Sequence, residues 1–156
     1  MRPVMARAWA ILVCGLLLGL TACSTGQGKV VKVLPHWLDA RGRHALSASL
    51  FERDAYQARL RDHPDQRHGL RYDIHWRAPR TGHPDYRLRL ELRTEQTPHD
   101  RPIVIEQAVK PPPPWGRWTG LSLKDEAFAQ AGEIIAWRVS LWNGDRLLSE
   151  EKSFLW

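Results

Sequence analysis

An antiparallel β-sandwich of about seven strands, with one short helix inserted near residues 50–61, is the mainly β fold this sequence predicts. Three observations carry it. Apolar and polar residues alternate with period two over several runs, and turn formers separate those runs at short spacing. The 156-residue chain is also 43% hydrophobic and 26% charged, a globular composition that excludes wholesale disorder, collagen-like repeats and a multi-span membrane protein. Its length allows one ordinary domain.

The elements follow in order. Val30, Val31 and Val33 make 29–38 a first strand, closed by the turn formers Asp39, Ala40, Arg41 and Gly42. Ser49 with Glu52 three residues on is a capping box, and the helix-forming run behind it stops before Pro64. Phe51, Ala55 and Leu60 are its expected buried positions. The period then changes. Leu70, Tyr72, Ile74 and Trp76 alternate with Arg71, Asp73, His75 and Arg77, and Tyr86, Leu88, Leu90 and Leu92 alternate with Arg87, Arg89, Glu91 and Arg93. Each run is a half-buried strand with one wet face.

Residues 102–109 form another strand, halted by Pro111 to Pro114, which cannot donate ladder hydrogen bonds and so must lie at an edge or in a crossover. A short strand at 118–123 leads into a helical turn over 124–131 that ends at Gly132. Ile135, Trp137, Val139 and Leu141 mark the inward side of a further strand, and Asn143-Gly144-Asp145 is a hairpin turn into 146–156. There Leu147/Leu155 compete with Leu148/Phe154/Trp156 for the inward parity, and a bulge would satisfy both. The pattern is immunoglobulin-like or fibronectin-like in character, without the cysteine pair of true immunoglobulin domains; a small barrel is the alternative.

Ahead of this domain, Arg2 and Arg7 precede an apolar run over 8–20 that ends in small residues, the order of a secretory signal. Its last residues, Leu20-Thr21-Ala22-Cys23, resemble the lipobox of bacterial lipoproteins. The resemblance covers residues 1 to about 25 and implies that Cys23 is lipidated and that the chain is cut between Ala22 and Cys23. It divides the protein into a cleaved signal (1–22), a flexible tether (23–28) and a folded domain (29–156). It also implies an exported, membrane-anchored protein, with Ser24 compatible with the outer membrane facing the periplasm. Losing Arg2 and Arg7 lowers the net charge from +6 to +4. No thiol then remains for a disulfide or a metal.

Chemistry-bearing motifs are sparse. The tripeptide His-Pro-Asp at 63–65 is similar to the loop signature of J-domain co-chaperones, but a strand follows it where that family has a long helix. Seven histidines fall into no metal-ligand spacing. With no G-x-S-x-G motif and no free thiol, no catalytic residue, metal or cofactor is expected. Arginine dominates the basic residues, and Arg71, Arg77, Arg87, Arg89 and Arg93 fall on wet strand faces, where they pair with acids or bind anions. Of the tryptophans, Trp76 and Trp137 suit the sandwich centre, Trp115 and Trp118 follow the proline run, and Trp142 opposes the buried parity of its strand.

Two functions follow as expectations. The first is a non-enzymatic interaction or assembly-accessory module of the cell envelope, held to the membrane by the lipid on Cys23. The second is a glycan-binding module, for peptidoglycan or polysaccharide, using Trp115, Trp118, Trp142, Arg87 and Arg89. Export makes nucleic acid an unsuitable partner. Beyond the lipobox, the domain looks like small bacterial lipoproteins with a tryptophan-containing C-terminal strand, a resemblance that implies no activity.

Overall fold

The computed structural model describes residues 28–80, 84–98 and 101–156. The lipobox-like residues Leu20 to Cys23, with the cleavage and lipidation expected at Ala22 and Cys23, lie outside the described residues. The described chain runs β1 (Lys29–Leu38), α1 (Leu50–Asp62), a 3-10 turn (Pro64–Gln66), β2 (Gly69–Arg77), β3 (Tyr86–Thr94), β4 (Ile103–Val109), β5 (Arg117–Lys124), α2 (Asp125–Ala131), β6 (Ile134–Asn143) and β7 (Arg146–Lys152). These seven strands form two antiparallel sheets, one of order β1-β2-β5 and one of order β4-β3-β6-β7.

The alternating runs close a sandwich because each supplies one apolar row. Leu70, Tyr72, Ile74 and Trp76 of the first sheet are buried, as are Tyr86, Leu88, Leu90 and Leu92 of the second. Val139 and Leu141 join them, with Trp137 packed against the cluster. Trp76, wholly buried, donates its indole N–H to Thr119 Oγ1 at 3.0 Å, so its one polar atom carries no desolvation penalty. Burial pushes the Tyr72 phenol well above its ordinary pKa.

Consecutive strands often belong to opposite sheets. The chain crosses between β2 and β3, between β4 and β5 through the prolines, and between β5 and β6 through α2. Proline suits such a crossover, where no ladder hydrogen bond is lost. The two arginine-bearing runs are therefore neighbours in sequence but not in space: Arg71 and Arg77 face out from one sheet, and Arg87, Arg89 and Arg93 from the other.

Three local expectations need correction. Phe51 is 82% exposed and Ala55 is exposed, while α1 buries Gln57 and Leu60. The helix covers only one edge of β1, so its inward face is narrow. Ile135 points outward and Ile134 packs on the core, because the β3–β6 register shifts by one residue there. The last strand ends at Lys152 rather than continuing to 156.

A bulge sets the parity in β7 but does not satisfy both rows, since Leu147, Phe154 and Leu155 stay exposed. Trp142 pairs with Leu147 and Leu141 with Ser149, leaving Leu148 as the extra residue, packed on the core. Beyond β7 the chain turns, with Trp156 N–H bonded to Ser153 O at 3.2 Å, which lays Trp156 back over the outer face of the larger sheet.

Candidate functional site

Three surface features bear on function. The first stands at the end of the sandwich where β1 begins. After the prolines, Gly116 turns the chain into β5 with φ +96°, and a Cβ there would lie 2.6 Å from His75 Nε2 and 2.8 Å from Trp76 O. Only glycine fits this approach. The turn leaves Trp115 73% exposed and Trp118 half exposed. Trp118 stacks on His75 at 5.0 Å, and Trp115 O lies 3.3 Å from His75 Nε2. Lys110, Arg117 and Trp118 share a shallow hollow of about 360 Å³ between β4 and β5.

The second feature is the outer face of the four-stranded sheet, on the opposite side of the molecule from the outward face of β2. Here the cross-strand register aligns cations with acids. Arg87 and Arg89 lie 3.8 and 3.6 Å from Glu106, Arg89 lies 3.6 Å from Glu91, and Arg138 Nε donates to Glu91 at 2.8 Å. Arg138 and Lys152 flank Glu150 at 4.0 and 3.7 Å. The indole of Trp156 lies under Arg93 and Arg138, at 4.1 and 4.7 Å. Trp142 is cross-strand neighbour to Arg87 and half-buried, its N–H donated to Ser140 Oγ at 2.8 Å.

The sequence-derived candidates thus fall into two groups. Trp115 and Trp118 converge at one end of the smaller sheet. Trp142, Arg87 and Arg89 lie together on the far face of the larger one, where the arginines are engaged with carboxylates. A ligand of ordinary size does not touch both groups.

The third feature was not legible in the sequence, because five distant segments build it. At the end remote from Gly116, α1 leans over the free edge of β1 and leaves a cleft of about 460 Å³. Its apolar walls include Trp37, Tyr72 and Trp137, with the last two rings 5.9 Å apart. Its rim is one stripe of α1, Asp54, Gln57 and Arg61, and one turn earlier the stripe reaches Leu50, 62% exposed. Trp37 also borders a second hollow of about 410 Å³, shared with Arg67 and Phe128; the Arg67 guanidinium stacks on Trp37 at 4.4 Å.

Several polar groups of the cleft are already engaged. Burial pushes the His36 pKa down against the opposing pull of Asp73, whose carboxylate is 3.6 Å away. Ser153 Oγ accepts from Trp137 N–H at 3.0 Å. Gln57 is bonded to backbone on β1 and the following loop. The arrangement offers aromatic walls and a charged rim suited to binding. Among the described residues, no three His, Cys, Asp or Glu side chains converge to hold a metal ion.

No protein-family model, curated protein or solved structure matches this chain.

Proposed function

We propose that the protein is a non-enzymatic interaction or assembly-accessory module of the cell envelope, tethered through a lipid on Cys23 and facing the periplasm from the outer membrane. The seam cleft beside Trp37 is its partner site. One observation carries this reading: a hollow of about 460 Å³ with the aromatic walls Trp37, Tyr72 and Trp137 opens along α1 at the end of the sandwich away from Gly28. A pocket with aromatic walls and a charged rim is the usual form of a recognition site, and aromatic anchors dominate the energetics of most protein interfaces.

The fold reading is immunoglobulin-like or fibronectin-like. It is supported by the order of the strands: the first, second and fifth make one sheet, and the third, fourth, sixth and seventh make the other, with sheet-switching connections of the kind such sandwiches use.

The experiment is photo-crosslinking in living cells, with a photoreactive residue replacing Asp54 or Ile135 at the cleft and, as control, Glu106 on the paired outer face. The reading expects a discrete protein adduct from the cleft positions and none from the control. Adducts to peptidoglycan, or equal labelling at all three positions, refute it. The second reading, a glycan-binding module, is favoured only by the exposure of Trp115 and Trp118; sedimentation with purified peptidoglycan and quenching of tryptophan fluorescence test it.

A further inference from the structure

This inference rests on the lipid-anchor reading and adds a surface to it. The chain enters the fold at Gly28, buried against β6 and β7: a Cβ there would stand 2.9 Å from Leu141 Cδ2 and 2.6 Å from Leu148 Cδ1. From Cys23 to that fixed point there are five residue steps, at most about 17 Å of extended chain. Strands of nine or ten residues make the sandwich about 30 Å long. The end that carries Gly28 is therefore held close to any bilayer that holds the lipid, and the cleft beside Trp37 is held away from it.

Charge distinguishes the same end. Lys29 pairs in register with Arg77, and Arg117 lies opposite Trp76, one strand over. Lys110 follows the last residue of β4. All four cations are exposed, and none makes an ion pair among the described residues. The exposed acids here are Asp85 and Asp145. The outer face of the larger sheet, by contrast, has its arginines matched by Glu91, Glu106 and Glu150, and α1 at the far end mixes Glu52, Asp54 and Asp62 with arginines. Trp115 and Trp118 are exposed at the basic end, and Trp118, stacked on His75, shares the hollow with Lys110 and Arg117.

We infer that this end of the sandwich is a docking face for the anionic phospholipid surface of the anchoring bilayer. Lys110 and Arg117 engage headgroup phosphates in the hollow they share, and Trp115 and Trp118 enter the interfacial layer. Indoles favour that layer because the ring is apolar and its N–H still reaches a hydrogen-bond acceptor. Each Lys or Arg near an anionic membrane strengthens attachment about fivefold, and salt weakens it. The lipid alone would leave the domain free to tumble on its tether; this face fixes its orientation and presents the cleft outward.

The test uses full-length protein extracted from membranes and reconstituted in phosphatidylcholine vesicles, with and without phosphatidylglycerol, containing phosphatidylcholine brominated close to the headgroup. Tryptophan quenching is expected with phosphatidylglycerol and is expected to fall with added salt. It should be lost in Trp115→Ala/Trp118→Ala, whose altered side chains are exposed. Lys110→Glu/Arg117→Glu keeps both indoles and should weaken the quenching at least tenfold in the phosphatidylglycerol concentration required. Equal quenching in wild type and the tryptophan variant, or quenching by soluble peptidoglycan fragments instead of lipid, overturns the docking face. The mass of the N-terminal peptide separates the two claims: without a diacylglyceryl group on Cys23 the anchor reading fails, and a lipidated protein with unquenched indoles sinks the docking face alone.

Discussion

Gln57 of α1 stands in for a neighbouring strand at the free edge of β1: its Oε1 accepts from Trp37 N–H at 2.8 Å and its Nε2 donates to Trp37 O at 3.0 Å. The amide side chain supplies the same donor and acceptor pair that a peptide group would. Toward the other end of the same edge, Val30 N–H donates to Ser149 Oγ at 2.7 Å. Both contacts blunt an edge that would otherwise offer unpaired backbone to another chain. Pro35, two residues before Trp37 and aimed at the same edge, forfeits no ladder hydrogen bond there.

Replacing Gln57 with Leu keeps a helix-forming apolar residue but leaves the Trp37 N–H and C=O unsatisfied. The expected loss is about 2 kcal/mol, read from urea denaturation of the purified protein. A Leu variant as stable as wild type would show that the edge bond contributes nothing net.

Asp39 closes the turn after β1. Burial alone would raise its carboxyl pKa, but hydrogen bonds from Arg43 N–H, Tyr56 O–H, the Arg43 guanidinium and Arg41 N–H outweigh that and hold it well below the carboxylate range. Because the folded value lies below the unfolded one, the unfolded chain takes up the proton first as pH falls. The stabilisation is complete above about pH 5 and declines as the solution is acidified through the unfolded value near 4. Asp39→Asn should therefore be less stable than wild type at neutral pH, with the gap shrinking in acid. Parallel curves of stability against pH would contradict this.

Glu91 is 5% exposed, and its carboxylate is held by Arg138 at 2.8 Å and by Arg89 at 3.6 Å. The hydrogen bond to Glu91 keeps the Arg138 guanidinium still more firmly protonated. Arg138→Met should destabilise by about 2 kcal/mol, less than for a fully buried pair because Arg138 is a third exposed. Glu91→Leu/Arg138→Met should recover part of that loss, since no buried charge is left alone. Additive single and double effects in denaturation would show that the pair is not coupled.

Cys23→Ala should abolish incorporation of radiolabelled palmitate and remove the acyl mass from the N-terminal peptide, since the thiol is the acceptor in the lipobox reading. Label retained in the variant would show that any lipid is attached elsewhere.

By itself the sequence determined where most strands lie, because period-two alternation and turn residues are local signals: β1, β2 and β3 span the expected runs, Ser49 caps α1 by accepting from Glu52 N–H, and Gly144 turns the last hairpin with φ +54°. It also carried Leu20-Thr21-Ala22-Cys23, whose resemblance to a lipobox lies in residue order. Tertiary structure alone decided which wet faces meet. Alternation shows that one side of a strand is buried, but not against which partner. The arginines of β2 and β3, neighbours in sequence, therefore separate onto opposite faces, and Trp115 and Trp118 part company with Arg87 and Arg89. The same reason explains Gln57 inside and Phe51 outside: a helix buries whatever faces its neighbour, and here the neighbour is a strand edge that needs hydrogen bonds more than apolar cover.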